Sequence, residues 1–182
     1  MRVTFRLLLL LPLLVSSLSL AACGDTATET DAARAADVFY SIRLSEMSGG
    51  LPEQGLRARL KPVITPSLDA LLAGAVAAER RHLFRTRNQE PPYVQGDLFS
   101  SLYEGPTVYR IGTCHNDDGM VECEVHLTHD VPGAHIAWTD RIRLIQQGER
   151  WLVDNIVYGG EWDFALKGTL RRTLEAVIDA ES

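Results

Sequence analysis

The cysteines at positions 114 and 123 lie on either side of a tight turn, and their spacing could form a disulfide. Asp118-Gly119 between them is a strong hairpin sequence, because a type I′ turn needs positive φ at both positions. Pairing outward from the turn sets Asp117 opposite Met120 and Cys114 opposite Cys123, with Cα atoms of such a non-hydrogen-bonded pair about 4.5 Å apart. A disulfide accepts about 4.4 to 6.8 Å. The sequence therefore predicts a cross-strand disulfide, the alternative being two reduced structural thiols.

Two aspartates in predicted strands could act in acid–base chemistry. Asp140 and Asp154 each alternate with apolar residues, so either could be an acid on an apolar face. A buried acid of this kind could serve as a general base. The alternative is a cross-strand ion pair between Asp154 and Arg141 or Arg143, given a two-residue turn near Gly148. We favour the ion pair.

The histidines do not have the spacing of a metal site. His126 and His129 are three apart in a predicted strand, so they point to opposite faces. His115 and His135 have no acid at metal-ligand spacing, and Cys114 and Cys123 do not have the spacing of zinc ligands. There is also no Ser-His-Asp signature, glycine-rich phosphate loop or CxxC motif. We predict no metal, no cofactor and no enzymatic activity.

The most plausible contact residues lie in a long aromatic loop, residues 88–106. A loop of this length is too long to be a simple connector, so we expect it to cover one face of the sheet. Acids at the predicted hairpin tip could extend the same contact surface. The candidate partner or ligand contacts are Tyr93, Asp97, Tyr103, Glu104, Asp117 and Asp118.

The elements that must position these residues are helices followed by strands. Apolar spacing predicts a helix from Asp31 to Gly49, and a second from Pro66, capped by Thr65, into the mid-eighties. A final helix begins at about Thr169. Four strands are predicted at residues 107–115, 120–128, 134–146 and 150–158. Helices packed on one face of an antiparallel sheet define an α+β fold.

The amino terminus resembles a bacterial lipoprotein signal. Arg2 and Arg6 precede an apolar run, and Leu20-Ala21-Ala22-Cys23 is similar to a lipobox. The resemblance implies cleavage before Cys23 and acylation of Cys23. A transmembrane anchor is the alternative, but the run is shorter than the roughly 20 residues a spanning helix needs. We therefore predict a signal peptide (1–22), a lipidated cysteine with a flexible tether (23–33), and one domain (34–182).

The charge and the residues after Cys23 limit the partners and the location. The chain has a net charge of −6, and removal of a leader with two arginines and no acids gives −8. This excess of acid argues against nucleic acid and against a basic lipid-docking patch, so membrane attachment would come from the acyl chains. In the enteric lipoproteins that this terminus resembles, a glycine after the cysteine does not retain the protein in the inner membrane, so the resemblance implies the outer membrane, facing the periplasm. That oxidising compartment supports the disulfide.

The order helix, helix, long loop, four strands resembles the cone-shaped NTF2-like fold. Pro91-Pro92-Tyr93, Gly96-Asp97-Leu98-Phe99 with Glu104, and Trp151-Leu152-Val153-Asp154-Asn155-Ile156 are similar to NTF2-like bacterial lipoproteins carrying a domain of unknown function. The helix from Thr169 departs from that pattern. Some of these lipoproteins are immunity partners of secreted antibacterial effectors. The resemblance thus implies a non-catalytic protein that binds and neutralises such an effector, and the acidic charge of the mature chain predicts that the effector is basic.

Two further hypotheses remain open at the level of sequence. A pocket within the cone would instead indicate a small-ligand-binding or envelope-maintenance lipoprotein. An NTF2-like isomerase or hydrolase using Asp140 or Asp154 is the least favoured hypothesis.

Overall fold

The computed structural model describes residues 22–46, 48–117 and 119–182, with side chains from residue 26 onward. Residues 1–21 of the predicted signal peptide, the side chain of Cys23, and Asp118 at the hairpin tip lie outside the described residues. The chain order is three helices, four strands and a last helix. None of the helices within the described ranges is both long and apolar enough to cross a membrane.

Two of the four helices match predicted helices, and the other two differ from the prediction. They are α1 Ala22–Ser45, α2 Gln54–Leu60, α3 Pro66–Arg85 and α4 Leu170–Asp179. The Thr65 side chain accepts a hydrogen bond from the Leu68 amide at 3.1 Å, and this cap with proline at the first turn fixes the start of α3 as predicted. Thr169 caps α4 in the same way.

Two segments of helix were not predicted. α2 is a short helix, and Leu56 and Leu60 bury one side of it. α1 begins at Ala22, so residues 24–30, which we predict to form a flexible tether, are helical in the structure. This part of α1 is held against the rest of the chain. The Glu29 carboxylate accepts a hydrogen bond from the Asn116 amide of β1 at 3.3 Å, and Ala32, one turn further along, is fully buried.

The sheet is antiparallel with strand order β1-β2-β3-β4. Its strands are β1 Val108–Asp117, β2 Met120–Val131, β3 Ala134–Gln147 and β4 Arg150–Val157. The register confirms Asp117 opposite Met120 and Cys114 opposite Cys123. The two cysteines form a disulfide with Cα atoms 4.0 Å apart, which confirms the pairing expected from the turn.

The core lies between one face of this sheet and the helices. α1 crosses β1, while α4 packs on α3 and β4. Fully buried side chains from both layers meet there, including Phe39, Leu68, Leu72, Ile142 and Ile156. The α+β class with helices and an antiparallel sheet is therefore as predicted. The arrangement is compatible with a cone-like fold, and the NTF2-like assignment stays a prediction.

Candidate functional site

The first part of the long loop is held against the ends of α3 and α4. His82 is buried, and its Nε2 lies 3.1 Å from the Pro91 carbonyl; because a carbonyl only accepts, Nε2 carries the proton. The Tyr93 ring packs on the His82 ring with centroids 4.3 Å apart. The Tyr93 hydroxyl donates to Glu181 at 2.7 Å, and this hydrogen bond raises the Tyr93 pKa above its usual value of 10.0. Tyr93 is thus fixed at the surface by two helices.

A buried ion pair holds the second part of the loop on α1. The Arg43 Nη2 lies 2.7 Å from Asp97 Oδ1, and the two side chains are only 6% and 3% exposed. Asp97 Oδ1 also accepts the Phe99 amide at 3.1 Å, which shapes the turn. Asp97 Oδ2 is buried without a hydrogen-bond partner. It faces Gly105, whose φ is +75° and where a Cβ would come within 3.0 Å of this oxygen.

Asp140 locks the same loop to the sheet. Its side chain is fully buried and accepts the amides of Ser101 and Gly159, both at 2.8 Å. The Ser101 hydroxyl and the Trp138 indole N–H donate to the same carboxylate. The predicted buried acid is therefore present, with both oxygens engaged by neutral donors. This geometry gives Asp140 a structural role, since neither oxygen is left to accept a proton from a substrate.

Asp154 forms an ion pair, but not with the predicted partner. Its Oδ1 lies 3.0 Å from Arg171 Nη1 on α4 and accepts the Thr65 hydroxyl at 2.7 Å. The two-residue turn at Gly148 is as predicted, yet the register shifts between Arg143 and Leu144, where Asn155 and Val153 are their partners. Asp154 is the extra residue of this bulge. A bulge redirects the side chain that it carries, so Arg141 and Arg143 pair with Glu122 instead.

The two parts of the loop enclose a pocket of about 290 Å³, which we call the loop pocket. Its apolar and aromatic lining residues are Tyr93, Val94, Leu98, Tyr103, Phe164 and Leu166. Gly96 permits this packing, because a Cβ at this position would lie 2.5 Å from the Tyr103 ring. Phe164 is 77% exposed, Tyr103 56% and Tyr93 37%, so three aromatic rings stand open to solvent around one cavity. Exposed apolar groups that cluster in this way mark an interaction site.

The predicted contact residues fall into two groups. Tyr93, Asp97 and Tyr103 line the loop pocket, and Glu104 lines an adjoining cleft of about 180 Å³ that shares Asp97 and Tyr103. Asp117 is exposed at the β1–β2 hairpin tip, away from this group. The course of α1 shows the separation.

α1 runs from the hairpin tip to the long loop. Glu29 contacts Asn116 beside the tip, the Tyr109 hydroxyl lies 3.0 Å from Asp37, and Arg43 contacts Asp97. The loop pocket and the hairpin tip therefore lie at opposite ends of this helix, and the hairpin tip is at the end that begins at Ala22. One contact surface does not include both groups.

The histidines contact protein groups in the structure. His126 Nδ1 lies 3.1 Å from the Thr139 hydroxyl, and His129 Nδ1 lies 2.7 Å from the Gly105 carbonyl. Across the described part of the chain no group of three His, Cys, Asp or Glu residues is placed to hold a metal ion.

Sequence reasoning missed four residues of this region. Phe164 and Leu166 complete the loop pocket, Arg43 pairs with Asp97, and His82 supports Tyr93. Trp162-Asp163-Phe164 follows the last strand, and a second aromatic cluster in a connecting segment was the available signal. Arg43 and His82 had none, because each sits at the end of a helix where a basic residue is ordinary.

The geometry defines an α+β domain with an aromatic-lined pocket held by buried polar contacts. No protein-family model matches the chain. Over 140 residues the chain is 24% identical to a protein of Escherichia coli (strain K12) described as uncharacterized lipoprotein YbjP, covering 77% of this chain and 73% of that protein. This similarity supports a bacterial lipoprotein with a lipid-anchored location in the cell envelope. The choice of outer membrane and the immunity role stay predictions.

Proposed function

We propose that this protein is a non-catalytic, lipid-anchored binding protein of the cell envelope that docks a protein partner at the loop pocket. The observation that carries the proposal is the convergence of Tyr93, Tyr103 and Phe164, three exposed rings from two separate segments, on one cavity. Buried aromatic side chains tend to dominate the energy of protein interfaces. Three aromatic rings exposed to water are energetically unfavourable, and a partner that covered them would remove this cost.

The exposed aromatic rim of the cavity favours a protein partner over a small ligand. The loop pocket measures about 290 Å³ and adjoins a more open cleft of about 450 Å³ that shares Tyr93 and Val94. A small-molecule site buries most of its ligand, whereas a protein partner would place one large side chain in the loop pocket and cover the exposed rings of Tyr103 and Phe164 with the surrounding interface. The alternative of a small-ligand-binding lipoprotein therefore ranks second.

The contacts of two carboxylates, Asp140 and Asp154, support the absence of catalysis in this proposal. Asp140, the strongest candidate base, accepts four hydrogen bonds and is fully buried. Asp154 is engaged by Arg171 and by two hydroxyl groups. Neither carboxylate lines the loop pocket.

The proposal is tested by comparing two aromatic substitutions in the full lipidated chain. After envelope cross-linking and purification, a protein that co-purifies with the wild type should be lost with Phe164→Ala. Phe84→Ala is the matched control, because Phe84 is 88% exposed on α3 and lies outside the pocket. If Phe164→Ala retains every partner that Phe84→Ala retains, the loop pocket is not the docking site.

We further infer from the family resemblance and the acidic charge that the partner is a basic secreted antibacterial effector. A mature charge of −8 steers association with a basic protein, and added salt should slow that association. The test expresses the product of the neighbouring gene in the periplasm of cells that lack the lipoprotein, where we expect it to arrest growth. Growth should be restored by the wild type and by Phe84→Ala but not by Phe164→Ala. Normal growth without the lipoprotein would exclude the immunity role.

A further inference from the structure

The loop pocket continues into a second cleft with a different chemical character. The second cleft encloses about 450 Å³ and shares Tyr93, Val94 and Thr173 with the loop pocket. Beyond these shared residues its walls are formed by two cations, Lys167 and Arg172, and by the apolar side chains of Ala176 and Val177 on α4. We call the two cavities together the loop groove. One end of the groove is aromatic and the other is cationic.

The two cations of the groove have N–H donors left to bind an anion, although the Lys167 ammonium already donates one hydrogen bond to the Gly160 carbonyl. Within the described ranges, neither Lys167 nor Arg172 has a carboxylate within ion-pair distance, and both are exposed. Two acids of this region are engaged elsewhere: Glu181 pairs with Arg85, and Asp154 pairs with Arg171.

The lining of the groove contains one carboxylate, and that carboxylate is neutralised. Asp97 is the only acid among the residues that line the two cavities, and it is held by Arg43 at 2.7 Å. The cationic end therefore has no internal counter-ion. Arg172 is also the side chain best suited to fix an acid, since a guanidinium can bind a carboxylate through two parallel hydrogen bonds.

We infer that the loop groove binds a segment of a protein partner that carries a large apolar side chain and a nearby carboxylate. The apolar side chain fills the loop pocket between Tyr103 and Phe164, and the carboxylate binds Arg172 and Lys167. This inference rests on the proposed function and adds the chemistry of the bound segment. The net negative charge of the whole chain attracts a basic partner at long range. The groove acts locally, and its two cations select an acidic residue within that partner.

The probe is a random dodecapeptide library displayed on phage and selected on the full lipidated chain in phosphatidylcholine nanodiscs. We expect enriched peptides that combine an aromatic or branched apolar residue with Asp or Glu. Their affinity should fall about ten-fold or more with Arg172→Glu and with Lys167→Glu, as loss of a charge-assisted hydrogen bond at an interface predicts. Arg81→Glu is the matched control, since Arg81 is exposed and lies outside the groove.

The variants separate this inference from the proposed function. Peptides that lack an acid, or that bind Arg172→Glu as well as Arg81→Glu, while still requiring Phe164, would overturn the inference and leave the docking pocket standing. No enrichment over empty nanodiscs, or binding that Phe164→Ala and Phe84→Ala reduce equally, would overturn both. Enrichment of acidic peptides that lose affinity with Phe164→Ala, Arg172→Glu and Lys167→Glu, and keep it with the controls Phe84→Ala and Arg81→Glu, supports both.

Discussion

The carboxylate of Asp140 joins the long loop to the sheet at a point where no water reaches. It accepts two backbone amides, one hydroxyl and one indole N–H. An asparagine side chain keeps one acceptor oxygen but replaces the other with an NH₂ group. That NH₂ group would face N–H and O–H donors and leave them without an acceptor. Asp140→Asn should therefore lower the free energy of unfolding by about 2 to 4 kcal/mol, since each unsatisfied buried group costs about 1 to 3 kcal/mol.

Urea denaturation of the purified protein measures this change, with Asp163→Asn as the control on an exposed aspartate. The structural role would be wrong if both variants were equally stable.

At the residue scale, sequence patterns located some side chains and not their partners. Alternation along β3 was enough to identify Asp140 as an acid on an apolar face, because the strand period is two. The Asp154 ion pair was expected, but its partner came from α4 instead of β3. A bulge of one residue has no sequence signature of its own. Contacts across the tertiary structure, such as Arg43 with Asp97, are equally invisible to local spacing.

The disulfide is the element-scale constraint on the β1–β2 hairpin. It closes a short loop, with a sequence separation of 9. Replacing Cys114 and Cys123 together with alanine should cost about 2.5 kcal/mol if the chain-entropy account holds, while the Asp117 and Met120 turn pairing persists.

Thermal unfolding of the double variant and of reduced wild-type protein checks this prediction, since the reduced protein keeps the cysteine side chains. Two alkylatable thiols in the unreduced protein would contradict the disulfide.

The amino-terminal part of α1 makes a second prediction at this scale. Because α1 is helical from Ala22, the amides of residues 28–31 should be protected from hydrogen exchange by bonds to carbonyls four residues earlier. The exposed loop residues Glu161 and Asp163 provide the unprotected reference within the same sample. Exchange of residues 28–31 at the reference rate would support the flexible tether that composition indicated.

At the element scale, the strongest local signals predicted the helices and strands well. The Thr65-Pro66 cap and the turn glycines fixed α3 and the hairpins, because they act through the backbone of a few residues. α2 and the start of α1 were missed. Their helices depend on burial of Leu56, Leu60 and Ala32 against distant parts of the chain.

At the scale of the whole molecule, lipidation at Cys23 is the first prediction. Cys23→Ala should abolish uptake of labelled fatty acid and leave a larger precursor, because the acyl chains attach to that sulfur and cleavage follows attachment. The Cys114→Ala, Cys123→Ala double variant is the control that keeps Cys23 and should keep the label. Labelling of the Cys23→Ala protein would contradict the anchor.

The course of α1 then determines where the loop pocket lies relative to the predicted lipid anchor. Residues 23 and 43 are twenty residues apart in one helix, a length of about 30 Å at 1.5 Å per residue, and Arg43 contacts the long loop. The hairpin tip lies near the anchored end, while the loop pocket lies at the far end. A lipid-anchored protein would therefore present the loop pocket away from the membrane surface.

The most direct test places a photoreactive residue at each end of the full chain in living cells. Benzoylphenylalanine at Tyr103 lies on the rim of the loop pocket, and at Glu149 it lies in the exposed β3–β4 turn, beside the hairpin tip. We expect a discrete protein adduct from position 103 that Phe164→Ala removes, and none from position 149. An adduct at position 149 alone, or one at position 103 that survives Phe164→Ala, would contradict docking at the loop pocket.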